Sequence, residues 1–171
     1  MKLIAIDTQI LVWGVQGRSH STQKGMIARA KAYFDELAKR DARIIIPTPV
    51  AWEYVCWFPV TEQNEQWAIL SRRFRLAPFD LRAAQLAAVI ERQRLNSKVN
   101  KKAKRPSTEA EIGDLTRQQV KVDVQILAIA IAVGAESIIT DDSDHFLPLT
   151  TDQPIQVVDL HAIEVQTELF E

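Results

Sequence analysis

The sequence predicts a three-layer α/β/α sandwich with a mostly parallel central sheet, on three observations. Short apolar runs alternate with longer segments whose apolar residues recur every three to four positions. The short runs lack the polar–apolar alternation of half-exposed strands, as is typical of parallel strands buried on both faces. Finally, 171 residues without an internal repeat suit one domain that spans residues 1–171.

The first half of the chain contains three of the predicted strands. These are Lys2–Asp7, Arg43–Ile46 and the short Arg75–Ala77, with helices that begin at Thr8 or cover Met26–Arg40 and Gln63–Arg73. Thr48 is expected to cap a further helix, with Pro49 in its first position. That helix carries Glu53.

The second half continues the alternation. Asp80 is expected to cap a helix from Leu81 to about Leu95. The apolar pattern then fades over Asn96–Gly113, which predicts a long loop or insertion. The remaining predicted elements are a helix over Val122–Val133 closed by Gly134, a strand over Glu136–Thr140, an acidic turn over Asp141–Asp144 and a last strand over Ile155–Val158.

Acidic residues stand where ligands bind in parallel sheets. Asp7 ends the first strand. Asp141, Asp142 and Asp144 follow the next-to-last strand. Asp123 is expected in the first turn of the helix before that strand. Because ligands of open parallel sheets bind in the crevice beyond the carboxyl ends of the strands, we expect these carboxylates to converge there.

Converging carboxylates indicate a metal site. Several carboxylates at close range cannot all stay ionised without compensation. A hard divalent cation provides it, and oxygen ligands without a nearby histidine or cysteine select Mg²⁺ or Mn²⁺ over Zn²⁺. Such a site can activate a water and stabilise the leaving oxygen of a phosphodiester, with two ions about 4 Å apart when both are bound.

Each acid also has a structural explanation. Asp123 near a helix N-terminus would gain roughly 0.3–1 kcal/mol from the macrodipole without any metal. Asp142 and Asp144 are also common turn-forming residues. Asp7 is the hardest to explain structurally, because an acid that closes a buried strand needs a partner. Only as a set do these residues indicate a metal site.

In their order and spacing, these motifs resemble the PIN-domain family, and most of all toxins of the VapBC type. Residues 4–8, Ile-Ala-Ile-Asp-Thr, resemble the opening strand and first acid of that family. Residues 47–53 resemble the segment with the second acid, a glutamate on a helix. Residues 123–130 resemble the third acid and its apolar helix, and residues 134–146 the closing strand and acidic turn.

The resemblance implies a PIN-like fold and a set of site residues. They are the catalytic acids Asp7, Glu53, Asp123 and Asp142, of which Asp7, Asp123 and Asp142 would bind metal, the supporting residues Thr8 and Thr140, and the alternate acids Asp141 and Asp144. Thr8 and Thr140 would orient carboxylates or hold waters. RNA as substrate, a neighbouring antitoxin as partner and a homodimer are further implications of the resemblance.

Three functions stay open at this point. The first is a Mg²⁺- or Mn²⁺-dependent endoribonuclease that acts as the toxin of a toxin–antitoxin pair. The second is a catalytically silent PIN module that binds RNA or a protein partner. The third is a phosphatase with Asp7 as nucleophile, but such enzymes typically have a second aspartate two residues later, where this chain has Gln9. The complete acid set favours the first.

A basic segment lies within the predicted insertion of about residues 96–118. Arg92–Arg105 holds seven basic residues and no acid, so it carries +7 while the rest of a chain with net charge −1 carries −8. The residues predicted to contact RNA phosphates are Lys98, Lys101, Lys102, Lys104 and Arg105. The alternative is a solvated loop, and the lack of aromatic residues argues against recognition of bases there.

The cysteine and the tryptophans carry expectations about burial. The single cysteine, Cys56, excludes an intramolecular disulfide and is expected to be a buried structural thiol, since it lies in an aromatic stretch. The four tryptophans are interpreted as core or dimer contacts.

The apolar runs are too short for secretion or membrane insertion. Leu3–Ile6 is too short for a secretion signal, and Ile126–Ala135 is about half the length of a membrane span. A cytoplasmic protein that makes no membrane contact is expected.

Overall fold

The computed structural model describes residues 2–102 and 113–163, and the fold is given for those residues. The strands are β1 (Lys2–Ile6), β2 (Ala42–Pro47), β3 (Arg75–Ala77), β4 (Ser137–Thr140) and β5 (Gln156–Asp159). The helices are α1 (Thr8–Leu11), α2 (Lys24–Lys39), α3 (Thr48–Cys56), α4 (Val60–Arg73), α5 (Leu81–Lys102), α6 (Gly113–Ala132) and α7 (Ser143–Phe146). Four single turns complete the described elements, a π-helical turn over Val12–Gln16 and 3₁₀ turns over Ser21–Gln23, Leu147–Leu149 and Leu160–Ala162.

The five strands form one parallel sheet in the order β3-β2-β1-β4-β5. In the register, Ala5 of β1 pairs with Ile45 of β2 on one side and with Ile138 of β4 on the other. The parallel sheet predicted from the alternating pattern is confirmed. Since all strands run the same way, their carboxyl ends share one edge, with those of β1 and β4 adjacent.

Both faces of the sheet are covered, as the alternation of side chains along β2 shows. Ile46 belongs to a large buried cluster that includes Leu11 of α1, whereas Ile45 belongs to a smaller one that includes Ala83 of α5. Successive side chains of a strand point to opposite faces. The two clusters are therefore the two cores of the predicted three-layer arrangement.

The start of α3 differs in detail from the sequence prediction. The helix begins at Thr48, with Pro47 as its capping residue, and no side chain caps it. The hydroxyl of Thr48 instead accepts a hydrogen bond from the backbone N–H of Phe79 at 3.3 Å. Thr48 therefore ties the helix to the segment after β3, and the prediction that it caps the helix was wrong.

Within the long loop predicted over Asn96–Gly113, the described residues at both ends are helical. α5 continues to Lys102 and α6 already begins at Gly113, while residues 103–112 lie outside the described part. The two helices pack against each other. The lysines, arginines and glutamines here favour helix by intrinsic propensity without showing an apolar period, so periodicity alone missed both ends.

The local chemistry around Cys56 also differs from the prediction. The thiol is exposed and donates to the carbonyl of Glu53, which lies 3.0 Å from its sulfur. The prediction of a buried thiol was wrong because Cys56 lies on the outer side of α3, together with Trp52, which is 58% exposed. Aromatic neighbours in sequence do not place a helical residue on the buried face.

The tryptophans divide between core and surface. Trp13 is fully buried, Trp67 packs partly buried against the core, and Trp52 and Trp57 are exposed. Among the described helices, none is both long and apolar enough to cross a membrane.

Candidate metal centre

Asp7 lies at the carboxyl edge of the sheet, directly after β1. Its backbone N–H donates to the carbonyl of Ile139 in β4 at 3.0 Å, which fixes the end of β1 against its neighbour. One carboxyl oxygen, Oδ1, accepts from the backbone N–H of Thr8 at 2.7 Å. The other, Oδ2, accepts from the hydroxyl of Thr140 at 3.0 Å. Three contacts thus set the position and orientation of this carboxyl group.

Thr140 connects Asp7 to the acidic turn. It is fully buried at the end of β4, and its hydroxyl oxygen accepts from the backbone N–H of Asp142 at 3.0 Å while the hydroxyl donates to Asp7. A single hydroxyl can donate once and accept twice. Thr140 therefore holds the turn after β4 in register with Asp7.

Thr8 makes the corresponding connection to α3. Besides its backbone N–H contact with Asp7, its hydroxyl donates to Oε2 of Glu53, which is partly buried on α3. Glu53 also raises the pKa of Asp123 through its charge. The glutamate that the resemblance singled out thus faces the same cleft as the strand-end acids.

Asp123 reaches the cleft from the middle of α6. The expectation that it lies in the first turn of its helix was wrong, because α6 begins at Gly113 and Asp123 is well inside it. Stabilisation by the helix N-terminus therefore does not account for Asp123, since that effect falls off within the first turn. Its Oδ2 atom is buried without a hydrogen-bond partner among the described residues.

The acidic turn after β4 presents its carboxylates at different depths. Asp141 is partly buried, whereas Asp142 and Asp144 are exposed. The Oδ2 atom of Asp142 lies 3.1 Å from Nδ1 of His145, and that nitrogen is 3.9 Å from Oδ2 of Asp123. The turn thus brings Asp142 and Asp123 to the same imidazole.

The electrostatics of the cleft disfavour ionised carboxylates. Burial, with smaller contributions from the charges of Asp123 and Asp141, raises the pKa of Asp7 to about 7. Burial also raises the pKa of Asp123 to about 6, assisted by Asp142 and Glu53 and opposed by His145. The pKa of Asp141 is raised as well, mainly by burial. The acids are near enough to repel one another, so a positive charge placed among them would be strongly stabilised.

The carboxylates at this edge of the sheet are suitable ligands for a hard divalent cation, although they are not yet arranged around one point. Among residues 2–102 and 113–163, no three acidic, histidine or cysteine side chains already converge as a complete metal-binding group. The fit rests on the unpartnered Oδ2 of Asp123, since a buried oxygen of this kind needs a compensating partner. Carboxylate oxygens are the ligands that Mg²⁺ and Mn²⁺ prefer.

Two neighbours of this cleft were missed from the sequence. The preference for Mg²⁺ or Mn²⁺ rested on the absence of a nearby histidine, yet the ring of His145 lies beside Asp142. The spacing of three residues within a helical turn was the available signal. Asp159 ends β5, and its charge acts on Asp141, so it is a further strand-end acid that the reasoning applied to Asp7 predicts.

The basic residues predicted to bind RNA divide between the end of α5 and the part of the chain that the structure does not describe. Lys98, Lys101 and Lys102 belong to the last turns of α5. Lys104 and Arg105 lie outside the described residues.

Comparison with solved structures shows the same architecture in three VapBC structures. A structure of VapBC2 from Rickettsia felis bound to a DNA fragment from its promoter matches with a TM-score of 0.59 and 16% identity, covering 92% of this chain and 98% of that one. DNA-bound VapBC from Salmonella typhimurium matches with a TM-score of 0.55 and 13% identity over 94% and 99% of the two chains. The fold is PIN-like.

VapBC-1 from nontypeable Haemophilus influenzae carries the same PIN-like fold, with a TM-score of 0.57 and 14% identity over 93% of this chain and 98% of that one. At such identities the likeness concerns the fold, and at that level the resemblance read from the sequence is confirmed. No protein-family model matches the sequence, and a search of curated proteins finds no match.

The raised pKa of Asp7 predicts how stability without metal depends on pH. Its carboxyl binds a proton more tightly in the folded state, with a pKa of about 7, than in the unfolded state, where the value is near 3.8. Stability should therefore fall as pH rises from about 4 to about 7 and then level off. Asp7→Asn, which has no titrating proton, should lose this contribution.

The measurement is urea unfolding with a chelator at about pH 5 and about pH 8. The free energy of unfolding of Asp7→Asn, relative to that of the unmodified protein, should be higher at about pH 8 than at about pH 5. Asp152→Asn is the control, because Asp152 is exposed and asparagine tolerates its positive φ of 67°. A difference between Asp7→Asn and the unmodified protein that does not change with pH would contradict the assignment.

Proposed function

We propose that this protein is a divalent-metal-dependent endoribonuclease that hydrolyses RNA phosphodiester bonds, as the toxin of a toxin–antitoxin pair. The observation that carries the proposal is the convergence of acids at one sheet edge, where Asp7 is fixed by Thr140 and Asp123 keeps a buried oxygen without a partner. A site of this composition has little structural use of its own, because it raises the free energy of the metal-free fold.

Asp7, Asp123 and Asp142 would hold Mg²⁺ or Mn²⁺. When bound, the ion supplies an acidified water and stabilises charge on the leaving oxygen of the phosphodiester. The chain itself orients the acids. Thr140 directs Oδ2 of Asp7 and at the same time fixes the backbone of Asp142.

Glu53 would act as a fourth acid. Thr8 contacts Asp7 through its backbone N–H and Glu53 through its hydroxyl, so the two carboxyl groups are held at a set separation. A carboxylate in that position can accept a proton from the attacking water. His145, beside Asp142, is close enough to exchange protons with the same cleft.

The proposed partners follow from the fold neighbours and from the surface. The neighbours are VapBC complexes, which supports an antitoxin as partner. Trp52 and Trp57, both exposed, suit a homodimer or an antitoxin contact, because large exposed aromatic groups are typical of interfaces. We place the activity in the cytoplasm, where RNA and antitoxin would meet it.

A silent PIN module that binds RNA or a protein partner is the second candidate. The observation in its favour is that the acids of the described residues do not already form a complete metal-binding group. Cleavage assays separate the two candidates, because a silent module binds RNA without shortening it.

Asp7→Asn should abolish metal-dependent RNA cleavage and keep the fold. The change replaces a charged ligand by an isosteric amide, so turnover should fall by about 100-fold or more while the helical signal in circular dichroism is retained. Glu53→Gln should reduce turnover in the same way. The assay follows the length of a structured RNA panel with Mn²⁺, and EDTA should stop the reaction.

Asp152→Asn is the matched control for both variants, since it removes an exposed carboxylate that is not one of the proposed metal-binding or catalytic acids. Cleavage by Asp7→Asn at the rate of the control would refute the nuclease assignment of Asp7. Full activity of Glu53→Gln would remove Glu53 from the site and leave the other acids in place.

The basic segment should contribute to RNA affinity through phosphate contacts. Replacing Lys98, Lys101, Lys102, Lys104 and Arg105 by alanine should weaken binding and flatten its dependence on salt. Each lost contact to single-stranded RNA should reduce the slope of log affinity against log salt by roughly 0.7. Turnover at saturating RNA should stay near that of the unmodified protein, because the acids are untouched.

Filter binding over a range of salt concentrations measures this slope. An unchanged slope would identify the segment as a solvated surface. Loss of turnover together with a changed slope would show that the segment also positions the scissile phosphate.

A further inference from the structure

A cavity rich in arginine lies at the opposite edge of the sheet from the acids. It has a volume of about 530 Å³ and is lined by Ala42 and Arg43 at the start of β2, Arg75 at the start of β3, and the ends of α2 and α4. Because all strands are parallel, the amino ends that line this cavity are remote from the carboxyl ends that carry Asp7. The cavity is therefore separate from the candidate metal centre.

The cavity concentrates positive charge. Arg43, Arg72, Arg73 and Arg75 line it, and among its described lining residues the one carboxylate is that of Asp35. All four arginines are exposed, and within the described chain Arg43, Arg72 and Arg75 form no ion pair with an acid. Such a cluster of guanidinium groups gives the cavity a positive potential that attracts anions.

Two phenylalanine rings line the same cavity. Phe34 and Phe74 meet edge to face with ring centroids 6.2 Å apart, and the guanidinium of Arg73 lies 5.4 Å from the centroid of Phe74. Arginine forks match phosphate oxygens in pairs, and aromatic rings offer contact to a planar base. The volume falls within the usual range for small-molecule sites.

We propose that this cavity binds a nucleoside phosphate, with its phosphate groups on the arginines and its base against Phe74. A nucleoside phosphate group of this kind is found both in a free nucleotide and at the phosphorylated end of an RNA strand. Either ligand would occupy the edge of the sheet remote from the acids. The proposal stands independently of whether the acids cut RNA.

The test is isothermal titration calorimetry of the full-length protein in EDTA, so that no nucleotide can be held at the acids through a metal. ADP should bind, and adenosine should not, because it lacks phosphate. The double variant Arg43→Ala/Arg75→Ala should weaken ADP binding by about tenfold or more. Arg82→Ala, which removes an exposed arginine on α5 outside the cavity, should leave it unchanged.

Phe74→Leu tests the contact to the base. It should reduce the preference for ADP over inorganic pyrophosphate, whereas equal binding of the two by the unmodified protein would contradict a nucleoside ligand. Binding of a 5′-phosphorylated RNA tetranucleotide that is stronger than that of ADP and is weakened by Arg43→Ala/Arg75→Ala would identify an RNA end as the source. Stronger binding of ADP would identify a free nucleotide.

Equal ADP affinity in the double variant and in Arg82→Ala would overturn the proposal. Thermal unfolding checks that each variant is folded. If the double variant is not folded, the single changes Arg43→Gln and Arg75→Gln replace it, and each should weaken ADP binding measurably.

Discussion

The carboxyl group of Asp7 is the point on which the arrangement at the sheet edge depends. It directly follows a strand whose last residues are buried, and each of its two oxygens accepts a hydrogen bond from a neighbouring threonine. Thr8 donates its backbone N–H to Asp7 and its hydroxyl to Glu53. Thr140 donates its hydroxyl to Asp7, and the same oxygen accepts from the backbone N–H of Asp142. The positions of Glu53 and of the turn at Asp142 follow from how Asp7 is held.

That arrangement is costly without a cation. Burial and neighbouring charges raise the pKa of Asp7 to about 7 and of Asp123 to about 6, so near neutral pH the metal-free site holds part of its acids protonated. An ion that displaces those protons would remove the repulsion and satisfy the unpartnered oxygen of Asp123. The burial and mutual repulsion of these carboxylates therefore link the proposed metal ion to the stability of the fold.

The strands and most helices could be predicted because their signals are local. Continuous apolar runs marked β1, β2 and β4, and the rule that ligands bind beyond parallel strand ends placed Asp7 and the acidic turn at one edge. Asp123 does lie near the other acids, but it was expected in the first turn of its helix, and that placement was wrong. Its helix begins earlier than the apolar pattern, since polar helix formers extend α6 back to Gly113.

What could not be predicted depends on side-chain orientation. Cys56 turned out to be exposed because the buried face of α3 is set by packing, which aromatic composition does not reveal. The arginines of the arginine-rich cavity come from two separate stretches, Arg43 at the start of β2 and the run from Arg72 to Arg75, and these stretches meet only because β2 and β3 are neighbours in the sheet. His145 was missed because no strand ends at it, although it lies one helical turn from Asp142.

Calorimetric titration of Mn²⁺ into the metal-free protein near neutral pH tests the central claim most directly, that the acids around Asp7 form a cation site. We expect saturable binding accompanied by proton release, seen as an enthalpy that depends on the buffer. Asp123→Asn should bind Mn²⁺ about tenfold or more weakly. Binding of equal strength in Asp123→Asn, or no binding at millimolar Mn²⁺, would contradict it.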